Sequence, residues 1–219
     1  MSKNSTIAVI DYNMSNMFSI ENALINLDYK PIVTSDYDTI LSCDGAVLPG
    51  VGSFPEAMQN LRKLKLDNAI IDFIASGKPF LGICLGFQLL FDKSDEFTAT
   101  NGLGVISGEV KSFSKLDISL RVPHVGWNKV KKLISLNRGG FNEPLNDIDN
   151  DEYFYFVHSN FVLPLNNTYS YTSTQYEEFN FCSSIIKDNL FACQFHPEKS
   201  GKQGIQILNN IFNNENRKI

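Results

Sequence analysis

The first half of the chain alternates short β-branched runs with segments of helical periodicity. Residues 7–10 have the pattern of a buried strand, a helical pattern follows, and residues 30–33 return to a strand pattern. A second unit repeats this order, with a strand pattern at residues 46–48 and a helical pattern at residues 66–75. Such strand-helix-strand units predict a parallel sheet with helices packed against its faces.

The second half changes to strand-like runs with irregular connections, which predict antiparallel strands that extend the sheet. Residues 201–212 have the pattern of a closing helix, and residues 133–151, rich in Asn, Asp and Gly, are expected to form a surface excursion. The strand-like runs lie at residues 109–113, 127–130, 153–157 and 181–186.

A chain of 219 residues suits one domain better than two, so a single domain over residues 1–219 is expected. The predicted fold class is α/β, with an open mixed, mostly parallel sheet flanked by helices.

The composition of the chain argues against several classes of ligand and location. A net charge of -5 and scattered Lys and Arg argue against nucleic acid as a ligand. No apolar run approaches the ~20 residues that a membrane-spanning helix needs, and no secretory signal is visible, so no membrane partner is expected. The four cysteines form no C-x-x-C pair and are too sparse for a disulfide scaffold. Reduced thiols and a cytoplasmic location are therefore expected.

A candidate nucleophile lies in residues 79–91, PFLGICLGFQLLF. Cys84 stands between Gly82 and Gly86, where an apolar strand gives way to a helix-compatible run, and this spacing parallels the G-x-S-x-G nucleophile elbow. A thiolate there is favoured by the positive end of the helix, and Leu85 can offer its backbone N–H to an oxyanion. The alternative is a buried cysteine packed as a small hydrophobe. The motif alone favours neither interpretation.

A candidate base lies in residues 190–200, LFACQFHPEKS. His196 and Glu198 are two residues apart in an extended segment, so their side chains point to the same side and Glu198 can orient the imidazole. Alternatives are a surface histidine beside a solvated carboxylate, or metal binding with Cys193. Side chains alternate between the two faces of a strand, so Cys193 and His196 are expected to point to opposite faces. No other cluster in the sequence supplies the remaining ligands that zinc requires. Combined with Cys84, the pattern favours a triad without a metal.

Three ordered motifs resemble those of the class I (triad) glutamine amidotransferases. GICLGFQLLF resembles the nucleophile motif of that family, QFHPEKSG its His-Glu motif and LPGVGSF its oxyanion loop. RVPHVGWNKV and YFYFVHSNF resemble the branch that forms the glutaminase subunit of imidazole glycerol phosphate synthase. The resemblance covers nearly the whole chain. It implies a flavodoxin-like core with the site at the carboxyl ends of the strands.

The resemblance also implies roles for individual residues, with L-glutamine as substrate and no cofactor. Cys84 would attack the side-chain amide of glutamine to form a thioester, His196 would shuttle protons, and Glu198 would orient His196. The backbone N–H groups of Gly52 and Leu85 would form the oxyanion hole. The residues expected around the glutamine are Gln88, Glu96 and the backbone of His158 and Ser159.

The implied partner is a (β/α)8-barrel cyclase subunit, which would receive the ammonia in a heterodimer that serves histidine biosynthesis. Trp127, in the GWN segment, is the expected interface anchor, because exposed aromatic residues often carry binding energy; the alternative is core packing. Asn16, in the first loop, is also assigned to the partner face. His124 is expected to be structural or at the interface, since the triad already has a base.

Several positions depart from the family pattern. Residues 11–16 read DYNMSN where D-Y-G-x-G-N is common, so Asn13 and Ser15 replace glycines, and Asn160 replaces a common tyrosine. Paralogues of this branch feed ammonia to the amidation of a surface-polysaccharide sugar and share every catalytic residue, so this role is the main alternative. Two hypotheses of other classes are a stand-alone cysteine hydrolase and a non-catalytic binding module.

Overall fold

Five parallel strands form the centre of the sheet in the computed structural model, which describes residues 5–14, 17–133 and 143–213. Their spatial order is β2-β1-β3-β4-β13, the doubly wound, flavodoxin-like order in which ligands bind at the carboxyl ends of the strands. These strands are β1 (Thr6–Ile10), β2 (Lys30–Thr34), β3 (Gly45–Leu48), β4 (Phe80–Ile83) and β13 (Leu190–Cys193).

Eight further strands extend this centre, mainly through antiparallel pairs. One path continues from β13 through β12 (Phe179–Lys187), β10 (Asn160–Pro164), β7 (Ile106–Ser112), β5 (Phe91–Ser94) and β6 (Thr100–Asn101). A branch leaves β12 through β11 (Ser170–Tyr176) and β8 (His124–Lys132) to β9 (Glu152–His158).

Helices cover both faces of the parallel strands. Local sequence explains where two of them begin: Asp36 caps one helix by accepting a hydrogen bond from the Thr39 amide, and Pro55 occupies the first turn of another. The helices are α1 (Met17–Ile25), α2 (Tyr37–Ser42), α3 (Phe54–Lys63), α4 (Leu66–Ala75), α5 (Leu85–Leu89) and α6 (Gly201–Phe212).

The side chains of β1 show how the layers are held together. Ile7 and Val9 pack on the face covered by α1 and α6, whereas Ala8 and Ile10 pack on the face covered by α3 and α4. All four are fully buried. A strand buried on both faces is continuously apolar, which is the pattern of the first β-branched run.

The predicted fold class, an open mixed and mostly parallel α/β sheet flanked by helices, is confirmed. The predicted bounds of α4 and α6 agree with the structure, and β4 is the apolar strand predicted before Cys84. Helices α2 and α3 were not predicted. Residue 113, assigned to a strand, begins a short 3-10 turn, Phe113–Lys115. The predicted surface excursion is only partly correct, because Leu145 and Ile148 are buried, and its residues 134–142 lie outside the described part of the chain.

Within the described ranges, no helix has the length and apolar character needed to cross a bilayer.

Candidate active site

Cys84 occupies a sharp turn between β4 and α5. Its φ of 54° and ψ of -109° are strained for a residue with a side chain. Its backbone N–H donates to Cys193 O at 2.8 Å, which joins the end of β4 to the end of β13. Gly86 must lack a side chain, since a Cβ there would lie 1.9 Å from Leu48 O. The G-x-C-x-G spacing therefore forms the predicted elbow.

His196 and Glu198 lie just beyond the end of β13, next to this elbow. His196 Nδ1 is 2.7 Å from Glu198 Oε1, and the two side chains are only 3% and 8% exposed. The Nδ1–H therefore donates to the carboxylate, which leaves the Nε2 lone pair as the basic site. Neither His196 Nε2 nor Glu198 Oε2 has a hydrogen-bond partner among the described residues.

The three side chains are electrostatically coupled. Burial opposes protonation of the His196 ring, but the Cys84 sulfur and the Glu198 carboxylate outweigh it and raise the pKa of His196 to about 10. At neutral pH this environment favours the imidazolium form of His196. The protonated ring can act as a proton donor, and the Cys84 sulfur is placed as the nucleophile.

Two groups lie within hydrogen-bond distance of the sulfur of Cys84. Sγ lies 3.7 Å from Val157 O, to which the thiol can donate, and 3.6 Å from Gln194 Nε2, which donates to the sulfur. Gln194 was not predicted as a site residue. Its position two residues before His196 in an extended segment is the signal that could have indicated a side chain on the same side.

A cavity of about 290 Å³ opens over Cys84. Both predicted oxyanion residues, Gly52 and Leu85, line it, as do all four residues predicted to surround glutamine. His196 and Glu198 are not among its lining residues. The lining residues are Val51, Gly52, Cys84, Leu85, Gln88, Glu96, Pro123, Val157, His158, Ser159 and Asn160.

The loop that carries Gly52 is tied to the end of β1. Val51 N donates to Met14 O at 2.9 Å, and the buried Tyr12 hydroxyl donates to Pro49 O at 2.9 Å. Gly52 adopts a φ of +103°, and a Cβ at this position would lie 2.6 Å from the side chain of Met14. Glycine is therefore required for this loop to approach the cavity.

Two side chains that line this cavity, Glu96 and Gln88, carry hydrogen-bond acceptors. Glu96 accepts from Phe54 N at 2.6 Å and from Asn160 Nδ2 at 2.8 Å. Gln88 Nε2 donates to Gln194 Oε1 at 2.9 Å and to Asn160 O at 3.3 Å, which uses both of its hydrogens. Gln88 can therefore offer a ligand only its carbonyl oxygen. Together with the Glu96 carboxylate, this oxygen suits a cationic group such as an ammonium.

A chain of two histidines supports the cavity from the side of β8 and β9. His124 Nδ1 lies 2.9 Å from His158 Nε2, and His158 Nδ1 donates to Asn160 O at 2.7 Å. Burial lowers the pKa of His124 to about 4 and that of His158 to about 3. Both rings are neutral at physiological pH, so neither is charged when the triad works.

Trp127 lies on the outer surface of β8. It is 56% exposed, so the alternative of core packing is wrong, and the neighbouring Val125 and Tyr153 are 56% and 47% exposed. Three large apolar side chains on one pair of strands form an exposed apolar patch. Asn16, the other residue predicted at the partner face, lies outside the described residues.

In the part of the chain that the structure describes, no cluster of three or more His, Cys, Asp or Glu side chains could hold a metal ion.

Comparison with known proteins agrees with this geometry. The family model described as glutamine amidotransferase class-I matches residues 8–214. The chain is 46% identical to imidazole glycerol phosphate synthase subunit HisH 1 of Methanococcus maripaludis, over 94% of this chain and 98% of that protein. It is 44% identical to subunit HisH of the same synthase from Caldanaerobacter subterraneus subsp. tengcongensis, over 94% and 96% of the two chains.

Solved structures show the same fold at lower sequence identity. The structure of PurLQS from Thermotoga maritima superimposes with a TM-score of 0.70 and covers 96% of this chain and 98% of that chain, at 18% identity.

Proposed function

Since this chain belongs to the class-I glutamine amidotransferase family, we propose that it is the glutaminase subunit of imidazole glycerol phosphate synthase. It hydrolyses glutamine to glutamate and ammonia and passes the ammonia to a cyclase subunit. The relatives at 44–46% identity carry the name of that subunit and match nearly the full length of both chains. The observation that carries the chemistry is the buried His196–Glu198 pair beside the Cys84 elbow.

In the proposed reaction, the ammonium group of glutamine binds near the Glu96 carboxylate and the Gln88 carbonyl oxygen. Its side-chain amide then lies over the Cys84 sulfur. His196 holds the thiol proton, and the thiolate attacks the amide carbon. The resulting oxyanion accepts hydrogen bonds from the backbone N–H groups of Gly52 and Leu85. Gly52 and Leu85 line the same cavity as Cys84.

The tetrahedral intermediate then loses its nitrogen. Imidazolium His196 gives its proton to the leaving amine, so ammonia departs and a thioester remains on Cys84. Water attacks the thioester while His196 takes its proton, and the thiolate is released with glutamate. Glu198 keeps Nδ1 protonated throughout, so that Nε2 performs each transfer. His158 and Ser159, which also line the cavity, present their backbone to the bound glutamine.

The proposed partner is a (β/α)8-barrel cyclase subunit in a heterodimer. The exposed patch of Val125, Trp127 and Tyr153 is the proposed contact surface on β8 and β9, together with the loop that contains Asn16. An exposed tryptophan flanked by apolar side chains is the kind of anchor on which protein interfaces depend.

We further propose that residues 1–219 act as one glutamine amidotransferase domain in the cytoplasm. A family match from residue 8 to residue 214 supports one domain. All four cysteines are free, including the proposed nucleophile, which suits a reducing compartment. No observation favours the sugar-amidating role, and the proposed triad argues against a purely binding module.

The test is glutamate release by the full chain, measured alone and with the cyclase subunit. Release in the complex that is abolished in Cys84→Ala and His196→Asn supports the proposal, whereas unchanged release in Cys84→Ala overturns the nucleophile assignment. Peptide cleavage without any partner would instead identify a stand-alone hydrolase. Rescue of a histidine auxotroph by the chain decides the pathway.

A further inference from the structure

Gln194 is a buried polar residue whose contacts the triad does not explain. It follows β13, its backbone N–H donates to Ser183 O at 2.9 Å, and its side chain is fully buried. Desolvating an amide is costly unless its groups are hydrogen-bonded. Both ends of this amide have partners: Oε1 accepts from Gln88, and Nε2 lies 3.6 Å from the Cys84 sulfur.

The orientation of this amide follows from one backbone carbonyl. Asn160 O can only accept, so the group of Gln88 that faces it at 3.3 Å must be the NH2. The same NH2 lies 2.9 Å from the Gln194 side chain, which must therefore turn its oxygen to Gln88. The NH2 of Gln194 is left pointing at the sulfur. Reversing either amide would place two acceptors or two donors against each other.

The loss of the thiol proton changes how favourable each contact of the Cys84 sulfur is. The neutral thiol can donate to Val157 O at 3.7 Å, but a thiolate has no proton to give and faces this carbonyl with like polarity. The Gln194 N–H remains a donor in both states. A hydrogen bond to an ionised acceptor is roughly twice as strong as one between neutral groups. The amide therefore stabilises the thiolate more than the thiol.

We propose that Gln194 is a further catalytic residue, whose side-chain NH2 donates a hydrogen bond to the Cys84 thiolate. This donor favours the reactive form of the sulfur and holds it at the floor of the cavity. Gln88 is then a positioning residue as well as a substrate contact, because it fixes the orientation of the Gln194 amide. The proposal rests on the proposed function in that Cys84 is the nucleophile.

The test compares Gln194→Met, which keeps the length of the side chain and removes the donor, with Gln194→Glu, which turns an acceptor toward the sulfur. Alkylation of Cys84 by iodoacetamide is followed against pH by mass spectrometry, which separates Cys84 from the other three cysteines. In Gln194→Met we expect alkylation at pH 7 to slow about tenfold and the pH of half-maximal rate to rise by about one unit. Gln194→Glu is expected to show the larger change.

Steady-state kinetics of the complex with the cyclase subunit give the second readout. We expect kcat for glutamate release to fall about tenfold in Gln194→Met while KM stays within about twofold, since the donor acts on the nucleophile. The exposed Gln175, changed to Met, is the matched control and should leave both unchanged. An alkylation profile of Gln194→Met that superimposes on that of the unaltered chain would overturn the proposal.

Alkylation of Cys84 requires no glutamine. The experiment can therefore contradict the role of Gln194 and the proposed glutaminase function independently of each other. Absence of glutamate release by the unaltered complex contradicts the proposed function, whereas an unchanged alkylation profile contradicts the role of Gln194. If a variant does not fold, the unaltered chain labelled with ¹⁵N-glutamine provides the answer. The side-chain NH2 resonances of Gln194 should shift as Cys84 titrates, and this shift should be absent from Cys84→Ala. Resonances insensitive to the state of Cys84 would contradict the contact.

Discussion

His196 and Glu198 are joined by one short contact, 2.7 Å from Nδ1 to Oε1, in which each side chain is more than nine-tenths buried. The second ring nitrogen and the second carboxylate oxygen have no partner within the described ranges. The ring is therefore oriented by the carboxylate alone, and its free nitrogen is kept for the reaction.

Glu198→Gln removes the charge while preserving the shape of this contact. The amide can present its NH2 to Nδ1 and favour the wrong tautomer, so we expect kcat for glutamate release to fall at least about a hundredfold with little change in KM. Steady-state glutaminase assays of the complex measure this. Glu177→Gln, on the exposed turn after β11, is the matched control. A kcat within about threefold of the unaltered enzyme would contradict the orienting role.

Asn160→Leu removes the donor that holds Glu96 at 2.8 Å. Because Glu96 is proposed to bind the ammonium of glutamine and touches no reacting atom, KM should rise about tenfold while kcat changes less. The split between KM and kcat in the glutaminase assay is the measurement. A fall in kcat at constant KM would place Asn160 with the reacting groups instead.

Stability should decline in acid because of His124 and His158. Burial lowers their pKa values from 6.5 to about 4 and about 3, so below pH 6.5 the unfolded chain binds protons that the folded chain refuses. Their contribution is complete above pH 6.5 and is lost as pH falls toward the folded values, at up to about 1.4 kcal/mol per pH unit for each ring.

Urea unfolding at a series of pH values measures this decline. The variant His124→Gln keeps a polar side chain without a titrating group, so its free energy of unfolding should fall less steeply with acid. Slopes that match those of the unaltered chain would show that His124 does not contribute.

Trp127→Ala tests the exposed patch on β8. The Kd for the cyclase subunit should rise at least tenfold, corresponding to about 1.4 kcal/mol or more. The thermal midpoint of the isolated chain should change little, because the side chain is 56% exposed. Isothermal titration calorimetry and a thermal melt provide the two readouts, with Leu165→Ala, at 83% exposure, as control. An unchanged Kd would contradict the proposal that Trp127 contacts the cyclase subunit.

The fold could be predicted where local pattern determines structure. Helices α4 and α6 carry clear apolar periodicity, and β4 is a short apolar run that ends just before Cys84. Helix α3 was missed although Phe54, Ala57, Met58 and Leu61 have helical spacing.

The candidate site could be predicted only as far as its motifs extend. The His196–Glu198 contact follows from spacing within an extended segment. The contact of Gln88 with Gln194 joins residues 106 positions apart and depends on how β4 and β13 pair. The direction of each amide depends in turn on the carbonyl of Asn160. These contacts join residues that are distant in sequence and form only when the sheet assembles. A local sequence pattern therefore cannot predict them.

The pairing of β4 with β13 also sets when the enzyme can first act during its own synthesis. The elbow belongs to the first half of the chain, but His196 lies beyond β13, the last of the described strands in chain order. A nascent chain without that strand has a thiol and no base. The triad is therefore complete only once β13 and the residues that carry His196 and Glu198 have been made.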